Sequence, residues 1–138
     1  MSVEQYVRLF EELSPEAIEQ CDRYVSPDIR FKDPFNDVKG TSLFKKLLHK
    51  TLEDVKDPSF EVTHVSEAGD VTFLRWVFKG YVNGLGDWTI TGMSEIRLDS
   101  EGRIREHIDH WDASEQFYMK LPVLKQVLGW IRKRLQVS

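Results

Sequence analysis

The sequence predicts an α+β domain in which helices cover one face of a curved antiparallel sheet. Three features carry that expectation. Apolar residues recur at helical spacing through the first part of the chain, and the period changes to two from Phe60 onward. Turn signals at Ala68-Gly69-Asp70, Asn83-Gly84 and Asp99-Ser100-Glu101-Gly102 then divide the second part into strands. A chain of 138 residues with 41% hydrophobic and 12% aromatic residues fits one domain with a sizeable core.

Taken in order, Ser2 with Gln5 three residues on has the form of a capping box, and Tyr6, Leu9, Phe10 and Leu13 follow at helical spacing. A first helix is expected from about Val3 to Leu13. Ser14-Pro15 opens a second, with serine as N-cap and Ile18, Cys21, Tyr24 and Val25 as its buried stripe, closed by Ser26-Pro27-Asp28. Ile29 to Asp33 reads as a short strand that ends at Asp33-Pro34, because proline can neither donate to a ladder nor let its predecessor turn helical. Gly40-Thr41-Ser42 opens a third helix carrying Leu43, Phe44, Leu47, Leu48, Leu52 and Val55, ended by Asp57-Pro58. Phe60, Val62 and His64 then alternate with polar neighbours. Val71 to Val82 is a long strand with Leu74, Trp76 and Phe78 on one face and Phe73, Arg75, Val77 and Lys79 on the other. The next runs from about Trp88 to Leu98, with Ile90, Gly92, Ser94 and Ile96 on one side. Ser114 can cap a short helix through Phe117 and Tyr118. Leu121-Pro122 begins a last one whose stripe is Val123, Leu124, Val127, Leu128, Ile131 and Leu135 and whose other side is basic.

The formal net charge of -4 gives no electrostatic reason for nucleic-acid binding, which needs excess Lys and Arg, so no nucleic-acid partner is expected. A single cysteine, Cys21, excludes an intrachain disulfide and a cysteine-based zinc cluster. No targeting segment and no apolar run of about eighteen residues is legible, and the expectation is a cytoplasmic protein.

The stretch Arg103 to Asp112 carries the chemistry. Alternation on a strand puts Arg105, His107, Asp109 and Trp111 on one face and Glu106, Ile108, His110 and Asp112 on the other. An imidazole, a carboxylate and an indole in a row make a poor core but a good pocket floor, since His and Asp relay protons and Trp covers an apolar ligand. Asp33 is a candidate general base if buried; its alternative is a turn residue bonding nearby backbone. His107 and Asp109 form a relay or are each satisfied elsewhere. Ser94 holds a ligand oxygen or is a tolerated strand serine. Trp76, Phe78, Trp88 and Trp111 read as core and pocket wall. A metal site from His64, His107 and Asp109 needs a convergence that no spacing enforces; no metal and no cofactor are expected. His49 and His110 read as surface or interface residues, and Asp112 as part of the start of the following helix.

The order of elements, Lys32-Asp33-Pro34-Phe35 followed by Gly40, and Arg97-Leu98-Asp99-Ser100-Glu101-Gly102-Arg103-Ile104 together resemble the nuclear transport factor 2-like superfamily. That group includes ketosteroid isomerase, scytalone dehydratase, limonene epoxide hydrolase and the SnoaL polyketide cyclases. The resemblance covers roughly residues 2 to 118 and implies a cystatin-like cone: a curved antiparallel sheet covered by N-terminal helices around a deep pocket. Here an extra amphipathic helix at about 121 to 137 has no counterpart in the enzymes named. Asp33 matches the general base of ketosteroid isomerase. The position of that enzyme's oxyanion-hole acid falls on Ser94, and that of its helix-one tyrosine falls near Leu9 or Phe10, so its donor pair is not carried over. His107 and Asp109 resemble the His and Asp of the dehydratase and cyclase branches, and Trp111 matches a pocket tryptophan. The resemblance also implies a homodimer paired through the outer sheet face of Phe73, Arg75, Val77 and Lys79.

Two functions follow as expectations. One is a SnoaL-like, cofactor-free isomerase or lyase (dehydratase) acting by proton transfer on an apolar, carbonyl-bearing small molecule. Its catalytic residues are Asp33, His107 and Asp109, and its ligand-binding residues are Trp76, Phe78, Ser94 and Trp111. The other is a non-catalytic ligand- or protein-binding module with the basic last helix as docking element; membrane-surface contact by that helix is the less favoured role.

Overall fold

The computed structural model describes residues 2–137. Three N-terminal helices, α1 (Ser2–Glu11), α2 (Pro15–Glu19) and α3 (Thr41–Asp54), cover one side of a six-stranded sheet. Its strands are β1 (Val25–Lys32), β2 (Asp37–Lys39), β3 (Val55–Ala68), β4 (Val71–Val82), β5 (Gly86–Leu98) and β6 (Ile104–His110). They lie in the order β2-β1-β6-β5-β4-β3. From β3 to β6 the sheet is an antiparallel meander, and β1 joins β6 in parallel, so the sheet is mixed and unclosed. A short helix α4 (Ala113–Gln116), a 3-10 turn (Tyr118–Lys120) and helix α5 (Pro122–Leu135) complete the chain.

Alternation is obeyed along β4 and β5, whereas in β6 a register shift sets Arg105 apart from His107, so that Ile104 and His107 are both buried and Arg105 is exposed. Leu74, Trp76 and Phe78 of β4 and Ile90, Ser94 and Ile96 of β5 are buried beneath the helices with Tyr6, Ile18 and Phe44. Ser14 caps α2 by accepting from the Ala17 amide at 3.1 Å. Ile18, Cys21, Tyr24 and Val25 are buried as expected, although the helix gives way to a 3-10 turn at Cys21–Arg23. Asn83-Gly84 forms the tip of the β4–β5 connection, with Gly84 at φ 87, a conformation that costs glycine little.

Several boundaries differ from expectation, among them the starts of β3 at Val55 and β5 at Gly86. Helix α1 ends at Glu11, two residues before Leu13, and Ser2 is already helical. Ser26-Pro27-Asp28 does not close a helix but belongs to β1, because the β1–β6 register shifts between Val25 and Arg30 and Pro27 sits where no ladder bond is required of it. Helix α3 stops at Asp54, and Asp57-Pro58 lies inside β3 at a second register shift, where Asp57 adopts φ 51. Asp112 rather than Ser114 caps α4, accepting from the Glu115 amide at 3.1 Å. The three-residue β2 was not foreseen.

Candidate functional site

The parallel pairing of β1 with β6 builds the site. Phe31 is in register with His107 and Lys32 with Ile108, so one step further Asp33 comes beside Asp109 on the face shared by Phe31 and His107. There Asp33-Pro34 peels β1 away and leaves an open cleft of about 390 Å³ at the strand ends. Its lining includes Asp33, Asp109, Trp111, Lys32 and Pro34.

Behind the cleft runs a chain of hydrogen bonds. Tyr6, from α1, has no exposed surface, and its hydroxyl bonds His107 Nδ1 at 2.6 Å. His107 Nε2 bonds Asp109 Oδ1 at 2.5 Å. Ser94 Oγ donates to the same oxygen at 2.5 Å and accepts from Trp76 Nε1 at 2.8 Å. Burial, and next the negative charge of Asp109, push the Tyr6 phenol well above its ordinary pKa, so it stays a donor. The imidazole in its neutral form therefore accepts at Nδ1 and donates from Nε2 to the carboxylate, which satisfies both ring nitrogens. Phe10 and Phe31 flank the ring at centroid distances of 5.6 and 4.5 Å and fix its plane. Asp109 Oδ1 is thus doubly held, Oδ2 has no hydrogen-bond partner among the described residues, and Asp109 belongs to the cleft lining.

Asp33 forms the expected turn and also belongs to the cleft lining. Its Oδ1 accepts from the amides of Phe35 and Asn36 at 2.8 and 2.7 Å, an Asx turn, and its side chain also faces the cleft. Burial raises its pKa, the amide bonds pull it back, and the neighbouring Asp109 charge adds to the rise; the net direction is upward. A carboxyl that holds its proton more tightly folded than unfolded stabilises the fold at low pH, and that contribution disappears as pH climbs through its raised pKa. Asp33→Asn is expected to remove this decline while keeping the Asx-turn acceptor. Thermal melting from acid to neutral pH checks it: the parent should lose more stability than the variant over the interval just above the ordinary carboxylate pKa.

The other expected site residues divide. Trp111 is a cleft wall, packed edge-on against Phe35 at 5.6 Å. Trp76 and Phe78 lie in the core beneath Phe60. Ser94 is buried, and its hydroxyl donates to Asp109 and accepts from Trp76. His107 is only 4% exposed, and its ring nitrogens are engaged by Tyr6 and Asp109. His64 stands exposed on β3, bonded to Thr63 Oγ1, and is not brought to His107 and Asp109; among the described residues no three potential metal ligands converge. Tyr6 was missed as a site residue. It reads as one more member of an apolar helical stripe, and its only signal is that a buried phenol needs a partner.

The expected deep interior is largely occupied by rings. Contacts run from Tyr6 through Phe10, Phe60, Phe78 and Trp88 to Phe117, which also meets Phe35 at 5.0 Å. Gln116 fastens α4 over this end: its carbonyl accepts from Trp88 Nε1 at 2.6 Å, and its side chain bonds both backbone groups of Thr91.

Solved structures share this architecture. An NTF2-like protein of unknown function from Exiguobacterium sp. 255-15 superposes with a TM-score of 0.71 at 21% identity, over 81% of this chain and 98% of its own. A protein of ketosteroid isomerase-like fold from Catenulispora acidiphila, in complex with trimethylamine, gives 0.73 at 17% identity, over 88% and 93%. An LEH-like epoxide hydrolase of M. tuberculosis gives 0.67 at 14%, over 96% and 93%. At these identities the likeness shows the fold. No curated protein matches the chain. The SnoaL-like domain family matches residues 3–107, most of the chain and nearly all of the helix-covered sheet, and the protein belongs to that family within the nuclear transport factor 2-like fold.

Proposed function

We propose that this chain is a cofactor-free acid–base enzyme of the isomerase or lyase (dehydratase) type, acting on a small, apolar, carbonyl-bearing molecule. One observation carries the reading: Asp109 and Asp33 line the same cleft, and His107 and Ser94 hold only one oxygen of Asp109, Oδ1, which leaves Oδ2 for a proton. The cleft volume lies within the range used for small ligands. Burial raises the pKa of Asp33, which suits it to the proton-donating role, and Asp109, whose Oδ1 is held by two donors, is assigned the base.

Asp109 Oδ2 removes a proton from the carbon beside the carbonyl, and the C–H electron pair becomes the C=C bond of an enol as Asp33 protonates the carbonyl oxygen. In an isomerisation Asp33 then recovers that proton and Asp109 returns its own to a different carbon. In a dehydration the proton of Asp33 goes instead to a β-hydroxyl, which leaves as water, after which Asp109 gives its proton to solvent and Asp33 regains one. His107, backed by Tyr6, steadies the negative charge of Asp109 before it takes the proton and after it returns it, and Trp111 with Phe35 covers the apolar body of the ligand. The M. tuberculosis epoxide hydrolase supports the reading only in that the same fold there carries small-molecule chemistry.

The test is a panel of enolisable ketones and β-hydroxy ketones incubated with the protein in D₂O and followed by mass spectrometry. Deuterium entering the α-carbon, or loss of water, at rates above buffer for at least one member is the expected result. No turnover of any member, or turnover that Asp33→Asn leaves unchanged, overturns the assignment.

A further inference from the structure

Helix α5 has no buried residue. Val123 is 73% exposed, Trp130 62% and Leu135 79%, and Leu124, Val127 and Ile131 are exposed with them. Its packing is chiefly on the 3-10 turn that precedes it. At helical spacing these side chains and Leu128 fall within one arc of roughly 160°, and Lys125, Arg132 and Lys133 lie outside it. Arg134 falls inside the arc, but its guanidinium is laid over the Trp130 ring at 5.1 Å. The fourteen residues of α5 carry four of the chain's 19 basic side chains and none of its 23 acidic ones, which leaves -8 on the remainder. After Glu115 no acidic residue follows.

An apolar arc bordered by cations and an aromatic ring matches an anionic lipid surface, where the arc enters the acyl boundary and the cations meet phosphates. A span of about 21 Å is too short to cross a bilayer but suits lying in its plane. A second copy of α5 is a worse occupant, because it sets four positive charges against four. We infer that α5 docks the domain on the surface of an anionic phospholipid bilayer. The acidic body is repelled by the same surface, which confines contact to the helix. Phe117 and, in the turn before α5, Tyr118 pack on Phe35, which in turn meets the cleft wall Trp111, so docking holds the cleft beside the lipid. This inference stands independently of the proposed chemistry.

The experiment mixes the full chain with vesicles of pure phosphatidylcholine or of phosphatidylcholine with phosphatidylglycerol, and reads co-sedimentation and tryptophan emission. Of the four tryptophans only Trp130 is exposed, the others being buried or half-buried, so a blue shift on docking comes chiefly from it. Binding to the mixed vesicles alone, weakened by salt, is expected. Replacing Lys125, Arg132 and Lys133 together by Gln should weaken it on the order of a hundredfold, at about fivefold per cation. Val127→Asp, on the opposite side, should abolish it, and both variants should keep the parent's melting temperature because the altered side chains touch little. Equal binding to both vesicle types, no binding to either, or binding unaffected by both variants overturns the inference. So does a dimer in sedimentation equilibrium that Val127→Asp converts to monomer, which would assign the face to a second copy.

Discussion

Asp109→Asn is expected to lose roughly 10²–10⁴-fold in turnover of whichever ketone the parent accepts, with its melting temperature little changed. The asparagine carbonyl can still accept from Ser94 Oγ and His107 Nε2, so the chain of bonds from Trp76 to Tyr6 keeps its shape. What is lost is the oxygen those bonds leave free: Oδ2 becomes an amide nitrogen that cannot take a proton. Steady-state kinetics with a parallel thermal melt separates the two effects. A large fall in rate without a fall in stability identifies Asp109 as the base, whereas an unchanged rate moves that role to Asp33.

Gly92→Ala is expected to destabilise the fold by about 1–3 kcal/mol, the usual cost of overpacking a filled core. Gly92 stands opposite Trp76 in the β4–β5 ladder, and a methyl group there would lie 2.6 Å from two atoms of the Trp76 ring and 3.1 Å from Trp111 Cβ. The ring cannot swing aside freely, because it is buried and its Nε1 is bonded to Ser94. Displacing it loosens Ser94 and with it the grip on Asp109, so activity should fall alongside stability. Chemical denaturation measures the first effect. Gly129→Ala in α5, where the added atom meets nothing within 4 Å, is the control and should be neutral or slightly stabilising.

Local pattern made part of this molecule legible. Strand β4 falls at Val71–Val82 as expected, because β-branched and aromatic residues alternate there between two clear turns. Asp33 before Pro34 and the two-residue step from His107 to Asp109 likewise announce themselves, since a strand end and a shared face are local facts. What stayed hidden depends on distant partners. The phenol of Tyr6 meets His107 across 101 positions, and the Ser94–Asp109 bond follows from β5–β6 register. Pro27 suggested a break because the register shift that accommodates it belongs to the pairing with β6. Three-residue β2 is too short to have a period at all.

The parallel seam between β1 and β6 also sets the order in which the protein can be made. A nascent chain halted anywhere before Ile104 leaves one edge of β1 unpaired and gives Tyr6 no imidazole to meet. Ribosomal synthesis thus releases the first hundred residues with the sheet still unfinished, and such open edges invite pairing with other chains. Asp33, His107 and Asp109 come together only once the final strand has emerged and threaded in beside the first, so truncated products carry neither a complete sheet nor an assembled cleft.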